Sequence, residues 1–168
     1  MTSFNIVKFP SAILKKEASK VAHVGEAERT ILSEMVKAMY INRGVGLAAV
    51  QVGISKQLAV IDVGEGVLKM INPVIVKKEG KECQEEGCLS VPGAVVKVKR
   101  AKKILVQFLN ESGEAVQLKA DGLCARAIQH EVDHLSGKLI IDYLNPVKKL
   151  LFKKSAAISK KFDTTSKK

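Results

Sequence analysis

We expect the fold to be organised around residues 129–135, QHEVDHL, which contain two of the three histidines in the chain. On an α-helix, His130 and His134 differ by about 40° around the axis, so both imidazoles can reach one metal ion. Glu131 lies just beside that face, where its carboxylate can contact a water held by the ion and act as a general base. The stretch therefore predicts a metal-dependent hydrolytic site on a helix.

The predicted helix has recognisable ends. Asp121 and Gly122 are suited to its N-cap region, and Ser136 followed by Gly137 is suited to its C-terminus. Leu123 and Ala127 lie on the same side as the histidines. A neighbouring apolar side is supplied by Ile128, Val132 and Leu135. The helix should therefore be buried, with its histidines on the floor of a cleft.

The remaining sequence favours an α+β fold. Apolar residues at three- and four-residue spacing predict an N-terminal amphipathic helix from Glu26 to about Asn42. Residues 57–63 and 67–77 predict a hairpin in which Asn72 and Pro73 interrupt the second strand. Further strands are predicted at residues 95–100, 104–109 and 115–119. Because the links are short and no strand-helix-strand repeat occurs, we expect a compact single domain with small antiparallel sheets around the metal-binding helix.

Residues 44–53, GVGLAAVQVG, allow two interpretations. Glycines and small side chains are typical of a tight loop that leads into a buried strand. The alternative is a cleft wall that carries one polar group, the amide of Gln51.

The positive charge of the chain is concentrated at its C-terminus. The net charge is +11, and residues 146–168 contain eight lysines against a single acid, Asp163. We therefore divide the 168 residues into a catalytic domain at 1–147 and a basic C-terminal helix or tail at 148–168, which we expect to be partly disordered at its end. Such a tail suggests a polyanionic partner such as RNA, although a solvated end that aids solubility is the alternative.

The sequence also favours a cytoplasmic location. The N-terminus lacks the pattern of a secretory signal, and the odd number of cysteines argues against a disulfide framework. No apolar run approaches the length that crosses a bilayer, so we expect no membrane association.

A hydrolytic metal site needs three protein ligands and an open position for water. Candidates for the third ligand are His23, Cys83, Cys88, Cys124 and a carboxylate. Cys124 points about 120° away from the histidines, and His23 lies in a weakly patterned segment. Cys88 lies in a loop with glycine and proline and is favoured, although a small buried hydrophobic side chain remains an equal alternative.

Three stretches together resemble the signature motifs of the peptide deformylases, in order and spacing. They are residues 44–51, GVGLAAVQ, residues 86–90, EGCLS, and residues 129–135, QHEVDHL. Residues 142–144 and the basic extension are similar to the bacterial form with a C-terminal helix. The resemblance implies a compact α+β enzyme that removes the formyl group from the N-terminal formylmethionine of nascent peptides and releases formate.

The resemblance also implies roles for individual residues. The implied metal ligands are Cys88, His130 and His134, and Glu131 is the implied acid and base. The implied oxyanion donors are the Gln51 side chain and the Leu89 backbone N–H, and the Gly46 backbone is expected to bind substrate.

Val45, Leu123 and Ala127 are our candidates for a methionine pocket, with ordinary core packing as the alternative. The resemblance favours Fe²⁺ as the single divalent ion, and a thiolate ligand also tolerates Zn²⁺, Ni²⁺ or Co²⁺. It further implies that the basic tail docks on the ribosome.

Two other functions are compatible with the helix motif alone. A metallopeptidase would use the same histidines, but no downstream ligand has a suitable context and Cys88 would be an unusual peptidase ligand. A structural metal module that binds RNA would need four protein ligands and no water.

Overall fold

Seven strands form two antiparallel sheets around a central helix in the computed structural model, which describes residues 4–165 and the side chains of residues 4–155. The helices are α1 (Glu26–Ile41), α2 (Gly122–Leu135) and α3 (Pro146–Thr165). The strands are β1 (Gly46–Ala48), β2 (Leu58–Ile61), β3 (Leu68–Glu79), β4 (Glu82–Glu86), β5 (Val96–Arg100), β6 (Lys103–Leu109) and β7 (Ala115–Asp121).

The larger sheet has the strand order β1-β2-β3-β6-β7, and the smaller sheet pairs β4 with β5. Every strand pair is antiparallel, which confirms the predicted α+β class. The chain passes from one sheet to the other through Gly80, whose φ of 66° suits glycine.

Helix α2 follows strand β7 without a linker. Asp121 is the last residue of β7 and also the N-cap of α2, and Gly122 has a φ of 52° at the turn between them. Gly137, with a φ of 73°, follows the last turn, as predicted for a glycine beyond a helix C-terminus. The apolar side of α2 packs into the core through Ile128 and Leu135, which fixes the direction of the neighbouring, histidine-bearing side.

Helix α1 covers the other part of the core. Leu32, Met35 and Met39 are fully buried and pack with Leu47 and Leu58 of the larger sheet. Their three- and four-residue spacing is the amphipathic pattern read from the sequence. The structure ends α1 at Ile41, within one residue of the prediction.

Strand β3 differs from the prediction at Asn72 and Pro73, because the strand continues through them to Glu79. The register with β6 shifts between Ile71 and Val74, and Asn72 has a φ of 53°. The Asn72 side chain accepts a hydrogen bond from the Val21 backbone N–H and donates one to the Val21 carbonyl, each at 2.8 Å. The irregularity is therefore a stabilised bulge and not a break.

Two further segments were not foreseen. The sequence predicts no strand at residues 82–86, where the structure has β4, and the residues of this strand are mostly polar and exposed. In residues 44–53, Gly44 and Val45 lead into the buried strand β1, as the loop interpretation predicts, but the 3₁₀ turn at Ala49–Val52 that follows the strand was not predicted.

The C-terminal helix is attached to the body through its first turns. Lys149 Nζ lies 2.6 Å from Asp142 Oδ1, and the rings of Phe152 and Phe9 are 6.0 Å apart. The prediction of an irregular end falls partly on residues 166–168, which lie outside the described residues. No helix in the described part of the chain has the length and apolar character needed to cross a membrane.

Candidate metal centre and active site

A cleft of about 510 Å³ opens beside α2, and the predicted ligands Cys88 and His130 line it. The ligand atoms of Cys88, His130 and His134 all lie within 4.8 Å of one another. Cys88 Sγ is 3.2 Å from His134 Nε2, and the two Nε2 atoms are also 3.2 Å apart. One sulfur and two imidazole nitrogens therefore converge on a single point, which fits a divalent ion.

The other cysteines are not part of this cluster. Cys83 is exposed on β4, and Cys124 lies on α2 with its face turned from the histidines. His23 lies before α1 and is exposed. Within the described residues, Cys88 is thus the cysteine that meets both histidines.

Glu131 is buried beside the cluster with only 3% of its surface exposed. Its Oε2 atom has no hydrogen-bond partner among the described residues. Burial raises the pKa of Glu131 to about 7. A carboxyl group that gains and loses a proton near neutrality is suited to general acid and base catalysis.

Gly46 is the residue that leaves room for Glu131. A Cβ atom at Gly46 would lie 3.0 Å from Glu131 Cδ and closer still to Oε1. The backbone of β1 can therefore approach the carboxylate only because this position has no side chain.

Gln51 is held with its amide nitrogen toward the cluster. Its Oε1 atom accepts a hydrogen bond from the Ala48 backbone N–H at 2.8 Å. Its Nε2 atom donates to Ser90 Oγ at 3.2 Å and lies 3.8 Å from Cys88 Sγ. The side chain is 2% exposed, so these contacts fix a donor at the cleft floor.

The remaining predicted site residues line the same cleft. They are Val45, Gly46, Leu89, Leu123 and Ala127. Val45 is 48% exposed and Leu123 is 54% exposed, so both side chains are accessible to a ligand. Within residues 44–53, Gly44, Val45, Gly46 and Gln51 therefore line the cleft, as the second interpretation of this stretch predicts.

Sequence reasoning missed the buried charged network behind the ligands. Glu86 accepts hydrogen bonds from Arg100 Nε at 2.6 Å and Arg126 Nη1 at 2.8 Å, and its Oε2 lies 3.0 Å from His130 Nδ1. Burial opposes ionisation of Glu86, but the hydrogen bonds from His130 and Arg100 outweigh it and hold its pKa at about 2. Glu86 therefore stays anionic next to His130, one of the predicted metal ligands.

The network continues to Asp133, which lies one turn further along α2. Arg100 Nη1 donates to Asp133 Oδ2 at 2.9 Å, and the Tyr143 hydroxyl donates to the same oxygen at 2.6 Å. One signal for Arg100 was present in the sequence. In the alternating strand Val96, Lys97, Val98, Lys99, Arg100, the arginine falls on the buried side with the two valines.

Comparison with known proteins identifies relatives over nearly the whole chain. A family model described as polypeptide deformylase matches residues 3–150. A peptide deformylase from Pseudoalteromonas translucida is 47% identical over 165 residues, covering 96% of this chain and 99% of the relative. A peptide deformylase from Pelotomaculum thermopropionicum is 46% identical over 151 residues, covering 90% of this chain and 97% of the relative.

Solved structures give the same result for the fold. The crystal structure of a peptide deformylase from Legionella pneumophila superposes with a TM-score of 0.89 at 38% identity, covering 97% of this chain and 98% of that chain. The crystal structure of the peptide deformylase from Ehrlichia chaffeensis in complex with actinonin superposes with a TM-score of 0.90 at 36% identity. The match covers 95% of this chain and 98% of that chain.

Proposed function

The chain belongs to the peptide deformylase family, and from that premise we propose how its residues divide the catalytic work. The enzyme is a metal-dependent hydrolase that removes the N-formyl group from the formylmethionine of nascent polypeptides and releases formate. The convergence of Cys88, His130 and His134 beside Glu131 is the observation that carries the proposed assignments.

Cys88, His130 and His134 are proposed to hold one divalent ion, with Fe²⁺ as the favoured metal. The thiolate makes the donor set softer than one of imidazoles and carboxylates, and it also suits Zn²⁺, Ni²⁺ and Co²⁺. When bound, such an ion supplies Lewis-acid chemistry, lowering the pKa of water and balancing negative charge on oxygen. Anaerobic purification followed by elemental analysis tests the choice of metal.

Glu131 moves the protons of the reaction. Its carboxylate takes a proton from the water that attacks the formyl carbon. After the carbon-nitrogen bond breaks, the same group delivers a proton to the leaving amine, which restores the carboxylate. A pKa raised by burial favours both transfers, because the neutral and charged forms then lie close in free energy.

Gln51 and the Leu89 backbone N–H stabilise the developing oxyanion. The Gln51 amide is fixed by Ala48 and Ser90, so donation toward the reacting oxygen requires little reorganisation. Replacing Gln51 with leucine should lower kcat by about 10²–10³.

The rim of the cleft is proposed to accept the substrate. The Gly46 backbone binds the peptide close to its formyl end, and Val45, Leu123 and Ala127 contact the methionine side chain. An apolar wall beside a fixed polar floor suits a substrate with a thioether side chain and a formamide head.

Formate release separates deformylation from the rival activities. The protein is incubated with formyl-Met-Ala-Ser and with the same peptide lacking the formyl group. Formate from the first, without cleavage of either peptide bond, is expected. Peptide-bond cleavage without formate would instead identify a metallopeptidase.

Glu131→Gln tests the residue roles and the structural-metal alternative together. The variant should retain its metal and lose most deformylation, because the amide keeps the shape of the side chain but cannot accept the proton. Unchanged formate release in the metal-loaded variant would refute the proposed role of Glu131.

The basic tail is proposed to dock on the ribosome in the cytoplasm, where formylated nascent chains occur. Lys148, Lys153 and Lys154 are exposed on the first turns of α3, while Lys149 and Phe152 are used to attach the helix. Substituting the three exposed lysines with glutamine should weaken salt-sensitive co-sedimentation with ribosomes and leave turnover of a short formyl peptide intact. Unchanged co-sedimentation would contradict docking through these lysines.

A further inference from the structure

A second cavity, of about 720 Å³, lies on a different face of α2 from the catalytic cleft. It shares no lining residue with that cleft. Its α2 wall consists of Gln129, Val132 and Asp133, and it opens where the chain crosses from β3 to β4. None of the residue roles assigned above uses this space.

Three exposed lysines line the cavity: Lys78, Lys81 and Lys99. Lys78 and Lys81 flank the Gly80 crossing, and Lys99 reaches the cavity from β5. In β-sheet register, Lys78 lies opposite Ile104 and Lys99 lies opposite Cys83, so neither faces an acid across the strands.

The nearby acids are already paired with other cations. Glu79 Oε1 lies 2.6 Å from Lys77, and Glu82 Oε2 lies 3.7 Å from Arg126. Asp133 accepts hydrogen bonds from Arg100 and Tyr143. Within the described side chains, the three lysines form no ion pair. Their positive charge is therefore available to a ligand.

The polar floor of the cavity has little capacity left for a neutral ligand. Gln129 accepts from the Ala101 backbone N–H and donates to the carbonyls of Ala101 and Ala125, each within 3.0 Å. The Arg100 guanidinium is bound to Glu86 and Asp133. Recognition in this cavity must therefore come from charge at the lysines and not from a pattern of amide donors and acceptors.

We propose that this cavity is a binding site for phosphate groups. An ammonium group is a compact cation that binds phosphate oxygens as a point charge, and three of them around one opening match an anion with several oxygens. The phosphate can belong to a small polyphosphorylated molecule or to an RNA backbone. Because the lysines supply charge alone, binding should be independent of base identity and should weaken with salt.

The two sources are separated by titration at low ionic strength. Tripolyphosphate and a single-stranded oligouridylate of about ten nucleotides, enough to span a site of this kind, are each added to the metal-loaded full-length protein. Isothermal calorimetry gives the Kd, and amide shifts in the NMR spectrum locate the ligand at Lys81, Ala101 and Gln129. Binding of tripolyphosphate alone assigns a small-molecule site, and stronger binding of the oligonucleotide assigns an RNA contact.

The lysines are tested against a matched control with the same change in charge. The variant Lys78→Gln/Lys81→Gln/Lys99→Gln should weaken the Kd of the preferred ligand by about tenfold or more. The control Lys8→Gln/Lys16→Gln/Lys20→Gln removes three exposed, unpaired lysines elsewhere in the described structure and should change the Kd by less than about twofold. Since all six are on the surface, circular dichroism melting should show both variants folded.

The proposal does not depend on deformylase activity. Equal weakening in the two variants would overturn it, because net charge would then explain the binding. It would also be overturned if neither ligand bound, or if both bound without shifting the amides that line the cavity.

Discussion

Glu86 Oε2 lies 3.0 Å from Nδ1 of His130, on the opposite edge of the imidazole from the Nε2 atom that faces His134. The carboxylate stays ionised because its pKa is held at about 2. An anionic acceptor at Nδ1 keeps the proton on that nitrogen and leaves the Nε2 lone pair for a metal. This contact thus fixes both the tautomer and the ring orientation of His130, one of the proposed metal ligands.

Glu86→Gln should weaken metal affinity by about 10–100-fold, because the amide is a poorer acceptor for the Nδ1 proton. Competition with a chromogenic chelator measures the affinity directly, without reference to turnover. Glu17→Gln, at an exposed acid, is the control and should leave the affinity unchanged. A wild-type affinity in Glu86→Gln would show that the backbone alone orients His130.

Gly46→Ala should reduce deformylation by at least about tenfold while the protein remains folded, since a small misplacement of a catalytic group is costly. The added Cβ would lie 3.0 Å from Glu131 Cδ, so the carboxylate must move. Steady-state kinetics should show a lower kcat, together with a higher KM. At Gly25 the nearest atom to an added Cβ is 3.5 Å away, so Gly25→Ala serves as control and should keep wild-type rates. Equal kinetics in the two variants would contradict the close approach.

Arg100→Met should lower the free energy of unfolding by about 3–5 kcal/mol, because it removes the cation that the buried Glu86 and the half-buried Asp133 share. Arg100 joins Glu86 to Asp133 and is only 5% exposed. Urea unfolding monitored by circular dichroism measures the change. Lys97→Met on the exposed side of the same strand is the control and should change stability by less than about 0.5 kcal/mol. A small effect at Arg100 would mean that water replaces the guanidinium.

Asp142→Asn should reduce stability at neutral pH by about 1–2 kcal/mol and have little effect near pH 2. Burial raises the pKa of Asp142, but hydrogen bonds from Lys149 and Lys15 outweigh it and hold the folded-state pKa at about 2. Because this value is below the unfolded one, the stabilisation is complete above the unfolded pKa of about 4 and is lost as the pH falls toward 2. Denaturant unfolding at pH 7, 4 and 2.5 gives the comparison. A difference that did not shrink with acid would exclude an ionic origin.

The sequence predicts correctly those helices and strands whose formation depends on residues close to one another in the chain. Helix α2 was delimited from Asp121 to Gly137 because caps and apolar spacing act within a few residues. Strand β4 was missed for the opposite reason. Its residues are polar, and only pairing with β5, ten or more residues away, makes them a strand.

The candidate site shows the same division between residues that local patterns predict and contacts that depend on distant parts of the chain. The two histidines and Glu131 follow from helical spacing, whereas Cys88 was one of several candidates until the family resemblance selected it. The contact between Glu86 and His130 joins residues 44 positions apart, and no short-range pattern encodes it. Such contacts arise from the packing of the smaller sheet against α2.

The position of Cys88, after β4, has a consequence for the stability of the whole protein. Cys88 belongs to the loop between β4 and β5, while His130 and His134 belong to α2. An ion held by these three residues would therefore cross-link the smaller sheet to the central helix, and its binding would be thermodynamically linked to folding. At a free concentration of 100 times its Kd, the ion adds about 2.7 kcal/mol to the free energy of unfolding. On this assignment the melting temperature should rise with metal occupancy, and hydrogen exchange after chelation should accelerate first in the β4–β5 hairpin.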